Sequence, residues 1–201
     1  MSNLLRQRAQ ASLNVIARWL GSIGLTPNAL TIIGFLMMCG VGAVLALGNF
    51  ALGGALIVVA GIFDALDGTL ARLTNRVTQF GAFLDSTTDR FAEGALFFGM
   101  LYAYLQRGMT FVAYLVFFAL LGSLMVSYTR ARAEGIGVQC QEGMLTRFER
   151  IALVVIGLIA TAFFGDAPLL IVLGLLAVFA NVTAVQRMWL VYHATRDDMP
   201  K

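Results

Sequence analysis

Four aspartates stand in or beside apolar runs of a chain that is otherwise rich in hydrophobic residues. Asp64 and Asp67 are three positions apart and Asp85 and Asp89 are four apart, so each pair lies on one face of a helix. A carboxylate at membrane depth costs about 2.5–3.5 kcal/mol, so four clustered acids require a compensating cation. Oxygen ligands select a hard ion, and carboxylate pairs that leave positions open for phosphate and water indicate Mg²⁺.

The residues between the two acidic pairs suit a substrate that carries phosphate. Gly68 and Ala71 leave one helix face bare, so a ligand can approach the helix closely. Arg72 adds a planar guanidinium whose donors match phosphate oxygens. In the alternative interpretation the acids only pair with Arg72, Arg76 and Arg90, but their regular helical spacing is then unexplained. The segment therefore predicts a metal-assisted site for a phosphate-bearing substrate.

The same residues resemble the signature of the CDP-alcohol phosphatidyltransferases. Every signature position is filled, in the order Asp64-x2-Asp67-Gly68-x2-Ala71-Arg72-x8-Gly81-x3-Asp85-x3-Asp89. The resemblance implies that Asp64, Asp67, Asp85 and Asp89 hold one or two Mg²⁺ ions, with Mn²⁺ as a substitute. It also implies that Asp89 takes the proton from an acceptor hydroxyl, while the lipid-linked phosphate is transferred and CMP leaves.

The resemblance further implies a CDP-linked lipid as donor, either CDP-diacylglycerol or CDP-archaeol. The segment from Leu25 to Thr31 resembles the family's TPN-x-x-T segment, whose polar groups meet the head of the CDP-lipid. The residues expected to contact this donor are Asn28, Thr31, Asp67, Gly68, Ala71, Arg72, Thr78 and Gly81. For Asn28 and Thr31, helix capping is an alternative, because Thr26 and Pro27 suit the start of a helix.

Length and composition indicate one domain that is integral to a membrane. Of 201 residues, 59% are hydrophobic and 12% are charged, and the mean hydropathy is +0.83. These values exclude a soluble globular protein. The net charge of +3 does not indicate nucleic acid binding, since the distribution of basic residues reflects membrane topology. Cys39 and Cys140 lack metal-ligand spacing, and His193, the single histidine, is interpreted as an interfacial residue.

The predicted fold is all-α, with six transmembrane helices preceded by an N-terminal interfacial amphipathic helix. In residues 1–24, apolar residues recur at intervals of three and four while arginines occupy other positions of the helical wheel. This helix either packs at the surface or closes over the site, and we favour packing. The six apolar spans are Ala29–Leu47, Ala51–Leu73, Phe80–Leu105, Thr110–Ser127, Ile151–Phe164 and Pro168–Val191.

The distribution of basic residues predicts the orientation of the chain. Three short turns on one side carry only Arg107, whereas most of the other basic residues belong to the opposite side. The positive-inside rule therefore places both termini and the aspartate site at the cytoplasmic face of the cell membrane. The expected organisation is a single domain over 1–201, with a membrane bundle over 25–195 and a cytoplasmic tail over 196–201.

A second group of residues predicts the acceptor. Guanidinium forks of five arginines could bind a phosphate bidentately at the cytoplasmic side: Arg130, Arg132, Arg147, Arg150 and Arg187. Arg187 lies in an embedded segment, where an arginine needs a partner, whereas positive-inside anchoring is an alternative role for the other four. These segments resemble the family branch whose acceptor is an inositol phosphate, which implies inositol 1-phosphate. Glycerol 3-phosphate is the alternative acceptor, because it requires much the same pocket.

Two unrelated functions are also compatible with buried acids. A transporter would spread its intramembrane carboxylates along a path through the bilayer, whereas these acids cluster near one face. A prenyl-chain enzyme with aspartate-rich motifs would be a soluble helical protein, which the composition disfavours.

The family resemblance also implies a homodimer.

Overall fold

The structure, a computed structural model, describes residues 3–140 and 146–196, with only the backbone described for residues 3–9. Within these ranges the fold is all-helical, as predicted, and contains no strand. Its helices are α1 (Asn3–Ser22), α2 (Pro27–Ala46), α3 (Phe50–Leu73), α4 (Gln79–Gln106), α5 (Thr110–Gly135), α6 (Arg147–Phe164) and α7 (Ala167–Ala194). Of the predicted tail over 196–201, all but Arg196 lies outside the described residues.

Four helices in the described part of the chain, α2, α3, α5 and α7, are long and apolar enough to cross a membrane. The other two predicted spans are also helical, but they carry more charged residues. The first 15 residues of α4 include Asp85, Asp89, Arg90 and Glu93, and α6 has 18 residues with three charged side chains near its start. Length and composition therefore establish a multi-pass protein, while the count of six spans stays a prediction.

Threonine side chains cap the starts of three helices. The hydroxyl oxygens accept backbone N–H bonds in the first turns, at 3.3 Å from Ala29 to Thr26, 3.0 Å from Gly81 to Thr78 and 3.5 Å from Glu149 to Thr146. Such bonds satisfy N–H groups that have no partner within the helix. The capping role predicted for Thr26 and the place of Pro27 as the first residue of α2 are confirmed.

Helix α5 is longer than the apolar run that predicts it. The run ends at Ser127, but the helix continues to Gly135. The cause is the composition of this extension, which contains alanine, arginine and glutamate, all good helix formers that are not apolar as a group. Arg130 and Arg132 therefore project from a helix, which fixes their spacing.

The chain divides into two compact units, one comprising residues 1–43 and 55–96 and the other residues 44–54 and 97–201. In the first unit, Ala17 and Leu20 of α1 pack in a buried cluster with Leu30, Leu66 and Leu70. The α1 helix thus rests on the parts of α2 and α3 that lead into the aspartate segment. This contact agrees with the packing role expected for α1, while its location at a membrane surface stays a prediction.

In the second unit, α5 packs closely along α7. A Cβ atom at Gly122 would lie only 2.6 Å from the Asn181 Nδ2 atom and 2.8 Å from its backbone nitrogen, so glycine is required there. The Asn181 side chain donates a hydrogen bond to the Phe118 carbonyl oxygen at 2.9 Å. Small residues and interhelical hydrogen bonds are the usual means of helix association in membranes.

One end of the second unit is held together by Arg107. Its guanidinium donates to the Asp166 carboxylate at 2.9 Å and to the Gly48 carbonyl oxygen at 3.4 Å, and it lies 4.7 Å from the centroid of the Phe50 ring. Gly48 has a φ of 82°, a conformation that glycine adopts without strain. The three short turns predicted to share one side therefore do meet at one end of this unit.

Candidate metal site and basic cluster

Three of the four predicted metal ligands converge in the first unit. Asp64 and Asp67 lie on α3 and Asp85 lies on α4, and one carboxylate oxygen of each is within 4.8 Å of the others. Asp67 is buried, Asp85 is partly buried and Asp64 is exposed. The spacing of three residues on α3 places both of its acids on the face that meets Asp85.

This set of oxygens fits a divalent metal ion. Three carboxylates so close together repel one another, and a cation among them removes that cost. All the donor atoms are carboxylate oxygens, which suit Mg²⁺ and Mn²⁺ better than metals that prefer thiolate or imidazole ligands. The exposure of Asp64 leaves one side of the site open, as a site that also receives a phosphate requires.

Asp67 has a further partner that orients it. The Thr31 hydroxyl of α2 lies 2.6 Å from Oδ2 of Asp67, a length typical of a hydroxyl that donates to an ionised carboxylate. The same Thr31 oxygen is 3.2 Å from the Pro27 carbonyl oxygen of its own helix. Thr31, expected to contact the CDP-lipid, therefore meets one of the three converging acids.

Asp89 lies outside the group of three. It follows Asp85 by one turn of α4, and its carboxylate is 3.5 Å from the Arg90 guanidinium, with 11% of the side chain exposed. This contact is one of the ion pairs considered as an alternative to metal binding. Asp89 thus lies one helical turn beyond Asp85, and its predicted roles as metal ligand and as proton acceptor both stay predictions.

Gly68 and Arg72 act together on α3. The Arg72 guanidinium folds back along the helix, so that a Cβ at Gly68 would lie 3.4 Å from its Nη1 atom. Its Nη2 atom donates to the Thr69 hydroxyl at 3.3 Å. Arg72 is exposed and is held by a hydroxyl rather than by an acid in this contact, so its charge is available to an anion. Ala71, also expected at the donor site, is partly buried beside it.

The remaining residues expected to bind the donor meet where α2 and α4 begin. A Cβ at Gly81 would lie 3.0 Å from the Thr78 hydroxyl oxygen and 3.2 Å from Oδ1 of Asn28, so glycine allows these side chains to approach. Thr78 caps α4 through the Gly81 N–H. The structure thus brings Asn28, Thr78 and Gly81 together and gives Thr78 a capping role that the sequence pattern did not reveal.

Arg150 of the predicted acceptor group is a buried residue of the second unit, with 1% of its surface exposed. Its Nε atom donates to the Ser123 hydroxyl at 2.5 Å, and its Nη2 atom lies 3.4 Å from both the Ser123 carbonyl oxygen and the Ser127 hydroxyl. Ser123 and Ser127 were not predicted as functional residues. Their signal was available, because two serines four apart form a polar stripe on the otherwise apolar α5.

Arg187 reaches the same turn of α5 from α7. It is 5% exposed, and its Nη1 atom donates to the Val126 carbonyl oxygen at 2.6 Å. The expectation that this embedded arginine needs a partner is met by a backbone oxygen. Arg150 and Arg187 therefore bring two guanidinium groups to α5 between Ser123 and Ser127.

The other three arginines of this group are less enclosed. Arg130 is exposed and forms an ion pair with Glu134 at 2.8 Å, one turn further along α5. Arg132 is exposed on the same helix, and Arg147 is partly buried in the first turn of α6. The structure thus places all five arginines in the second unit, on α5, α6 and α7, with two of them buried.

Comparison with known proteins gives a consistent result. A family model described as CDP-alcohol phosphatidyltransferase matches residues 24–194. Archaetidylinositol phosphate synthase of Pyrococcus horikoshii is 37% identical over 190 residues, covering 94% of this chain and 95% of that protein. Phosphatidylinositol phosphate synthase of Mycobacteroides abscessus is 37% identical over 202 residues, covering 98% and 89%.

Two solved structures of a related enzyme are similar to this chain over 90% of its length. The crystal structure of Mycobacterium tuberculosis phosphatidylinositol phosphate synthase with CDP-DAG bound has a TM-score of 0.85 and 32% identity, covering 90% of this chain and 93% of that one. The same enzyme in complex with manganese and citrate has a TM-score of 0.84 and 33% identity, covering 90% and 88%.

Proposed function

The chain belongs to the CDP-alcohol phosphatidyltransferase family, and on that premise we propose that it moves the lipid-linked phosphate of a CDP-lipid to a phosphorylated polyol. The observation that carries this proposal is the convergence of Asp64, Asp67 and Asp85 within 4.8 Å. These are three of the acids at which the family signature requires a metal. A transporter is disfavoured, because its acids would be spread along a path.

The three converging carboxylates would hold the metal, Mg²⁺ or Mn²⁺, and a complex with manganese is known for a related enzyme. When bound, one or two such ions neutralise the negative charge of the pyrophosphate and of departing CMP. Arg72 would bind a phosphate oxygen of the donor, aided by its place over Gly68. Asn28, Ala71, Thr78 and Gly81 complete the proposed donor site, with Thr31, Asp67 and Gly68 bordering it.

Asp89 would act as the general base. It accepts the proton of the acceptor hydroxyl, whose oxygen then forms a bond to the lipid-bearing phosphorus as the bond from that phosphorus to CMP breaks. The product is a phosphodiester lipid, and CMP takes the electron pair. Asp89→Asn should therefore lose the chemical step while CDP-lipid binding largely survives. Equal loss of CDP-lipid binding in a titration would instead make Asp89 mainly a ligand.

The acceptor is proposed to be inositol 1-phosphate, bound through Arg130, Arg132, Arg147, Arg150 and Arg187. The related enzymes of Pyrococcus horikoshii and Mycobacteroides abscessus are named for inositol phosphate products, which favours this acceptor over glycerol 3-phosphate. The support from the structure is that Arg150 and Arg187 approach the same turn of α5. Guanidinium groups held in place by hydrogen bonds lose little entropy when they bind phosphate.

We also propose the arrangement in the membrane and the assembly. The protein would span the cell membrane six times, with α1 lying at its interface and with both termini and the site at the cytoplasmic face. The low number of basic residues at the three short turns supports this orientation. Residues 1–201 would form one functional domain, active as a homodimer.

The test is an assay of CMP release by the purified protein with Mg²⁺ and CDP-diacylglycerol or CDP-archaeol. Inositol 1-phosphate, glycerol 3-phosphate, serine and inositol are compared as acceptors. We expect release to require metal and to be fastest with inositol 1-phosphate. Preference for glycerol 3-phosphate would change the acceptor only, whereas no CMP with any acceptor would contradict the transferase function.

A further inference from the structure

The contact between Thr31 and Asp67 suggests a role for Thr31 other than substrate binding. The two residues lie on different helices, α2 and α3, so their approach is a tertiary contact rather than a property of one helix. The hydroxyl has one proton and two neighbouring acceptors, at 2.6 Å for Asp67 Oδ2 and 3.2 Å for the Pro27 carbonyl oxygen. The shorter contact, to a charged group, is the stronger one.

Asp67 is the acid of the three for which such orientation matters most. It is 7% exposed, whereas Asp64 is exposed and Asp85 is partly buried. A buried carboxylate has few water molecules to compensate a wrong rotamer, and its rotamer decides where its second oxygen points. A hydroxyl that donates to Oδ2 therefore helps to hold the rotamer in which this carboxylate approaches Asp64 and Asp85.

We propose that Thr31 is a positioning residue that orients Asp67 for metal binding, and that it acts on the affinity of the metal rather than on the affinity of the CDP-lipid. This inference rests on the proposed metal site of Asp64, Asp67 and Asp85. Partners of ligating carboxylates commonly change metal affinity about 10- to 100-fold when they are removed. The proton of Thr31 is engaged with Asp67, so it is not available to a phosphate of the substrate.

The test compares Thr31→Val, which replaces the hydroxyl by a methyl group of similar size, with Thr31→Ser, which keeps the hydroxyl. Binding of Mn²⁺ to the purified full chain without lipid is measured by electron paramagnetic resonance of the free ion. We expect Thr31→Val to weaken Mn²⁺ binding about 10- to 100-fold and Thr31→Ser to restore it to within about threefold. The KM for CDP-lipid at saturating metal should stay near that of the wild type.

Thr88→Val is the matched control. Thr88 is also partly buried and lies on α4 near Asp85, but its hydroxyl donates to backbone oxygens of its own helix, at 2.9 Å for Leu84 and 3.1 Å for Asp85. Its loss should leave Mn²⁺ binding unchanged. Thermal unfolding is followed for every variant, and Thr31→Ala replaces Thr31→Val if the latter does not fold.

Two results would overturn the inference in different ways. If Thr31→Val binds Mn²⁺ as tightly as the wild type but raises the KM for CDP-lipid, Thr31 is a substrate contact and the proposed function stands. If the wild type binds no Mn²⁺, or Asp85→Asn binds it equally well, the metal site itself is wrong and the proposed function fails with it.

Discussion

The acidic and basic regions of this protein differ in how their buried charges are stabilised. In the first unit three carboxylates stand within 4.8 Å of one another, and the Thr31 hydroxyl donates to the buried one, Asp67. In the described part of the second unit, the buried charged side chains are Arg150 and Arg187, and both donate to α5. The acids therefore depend on an added ion, whereas the arginines are already held by the fold.

Because of this difference, we expect mutations in the two regions to affect activity and stability differently. Removal of a carboxylate lowers the repulsion within the acidic group, so it should cost activity but little stability. Removal of a buried guanidinium eliminates its hydrogen bonds to Ser123 or Val126 and opens a cavity, so it should cost stability as well as activity. Activity and thermal unfolding measured together can test this distinction.

The largest expected effect is on turnover, in Asp64→Asn, Asp67→Asn and Asp85→Asn. Each neutral amide weakens binding of a hard cation, so CMP release should fall more than about 1000-fold in each variant, as it should in the wild type with excess chelator. The melting temperature of the metal-free protein should stay the same or rise, because repulsion among the acids is relieved.

Asp166→Asn is the control for these substitutions. It makes the same chemical change, but in a carboxylate that binds Arg107. It should keep turnover close to that of the wild type and lower the melting temperature. If two of the three site variants kept near-normal turnover, or if all three melted well below the wild type without metal, the contrast between the regions would be wrong.

The next effect in size is on stability, in Arg150→Ala. The variant loses charge-assisted hydrogen bonds to Ser123 and a fully buried side chain, which should cost about 2–4 kcal/mol of unfolding free energy. Arg150→Lys keeps the positive charge but not the planar guanidinium, so it should recover only part of the lost stability. The measurement is thermal or denaturant unfolding in detergent. An unchanged melting temperature for Arg150→Ala would mean that its hydrogen bonds contribute nothing to the fold.

Much of the fold could be predicted from the sequence because hydrophobic periodicity and helix signals are local. All predicted helices are present within the described residues, and Pro27 and Thr26 lie at the start of α2 as expected. The end of α5 was missed, since a helix can continue past its apolar run when the following residues favour helix. The number of spans does not follow from hydropathy, because α4 and α6 carry several charged residues.

The site was predictable where one helix fixes the spacing, and not where two helices meet. The pair Asp64 and Asp67 could be placed from its spacing, and Asp85 was expected to join it. That Thr31 would reach Asp67, or that Ser123 would reach Arg150, depends on how helices pack, which spacing within one helix does not reveal. The group of acids was expected to have four members; three of them converge, and the ligand role of Asp89 stays a prediction.

The third effect concerns the acceptor, and Arg132→Ala is its cleanest test. Arg132 is exposed, so its loss should hardly change the melting temperature, unlike the loss of buried Arg187. A charge-assisted contact to phosphate contributes about 1.5–3 kcal/mol, so the KM for inositol 1-phosphate should rise roughly 10- to 150-fold. The KM for CDP-lipid should stay constant, because the proposed donor site uses the metal and Arg72 instead.

The outcome for Arg132 needs a second exposed arginine as a comparison. Arg18, on α1, is also exposed but lies outside the predicted acceptor group, so Arg18→Ala should leave the KM for the acceptor unchanged. If both variants showed an equally small change in the KM for the acceptor, Arg132 would serve membrane anchoring rather than phosphate binding. The acidic site would be unaffected by that result.

The smallest effect is expected at the cap of α6, the helix that carries Arg147 and Arg150. Thr146 and Glu149 form a reciprocal capping box, in which the Thr146 N–H donates to the Glu149 carboxylate at 2.6 Å. Thr146→Ala should lower stability by about 0.5–2 kcal/mol, and Thr146→Ser should not. Because the cap supports an arginine already fixed by Ser123, the KM for the acceptor should change little.

The pH dependence of this cap provides its sharpest test. The hydrogen bond from the Thr146 N–H lowers the pKa of the Glu149 carboxyl, so the ionised form is stabilised in the folded protein. Its contribution is present above the ordinary glutamate pKa of about 4.3 and is lost as the pH falls through the lowered value. The difference in melting temperature between the wild type and Glu149→Ala should therefore be largest near pH 7 and shrink in acid. A difference that does not change with pH would mean that Glu149 stabilises α6 by packing alone, which its exposure makes implausible.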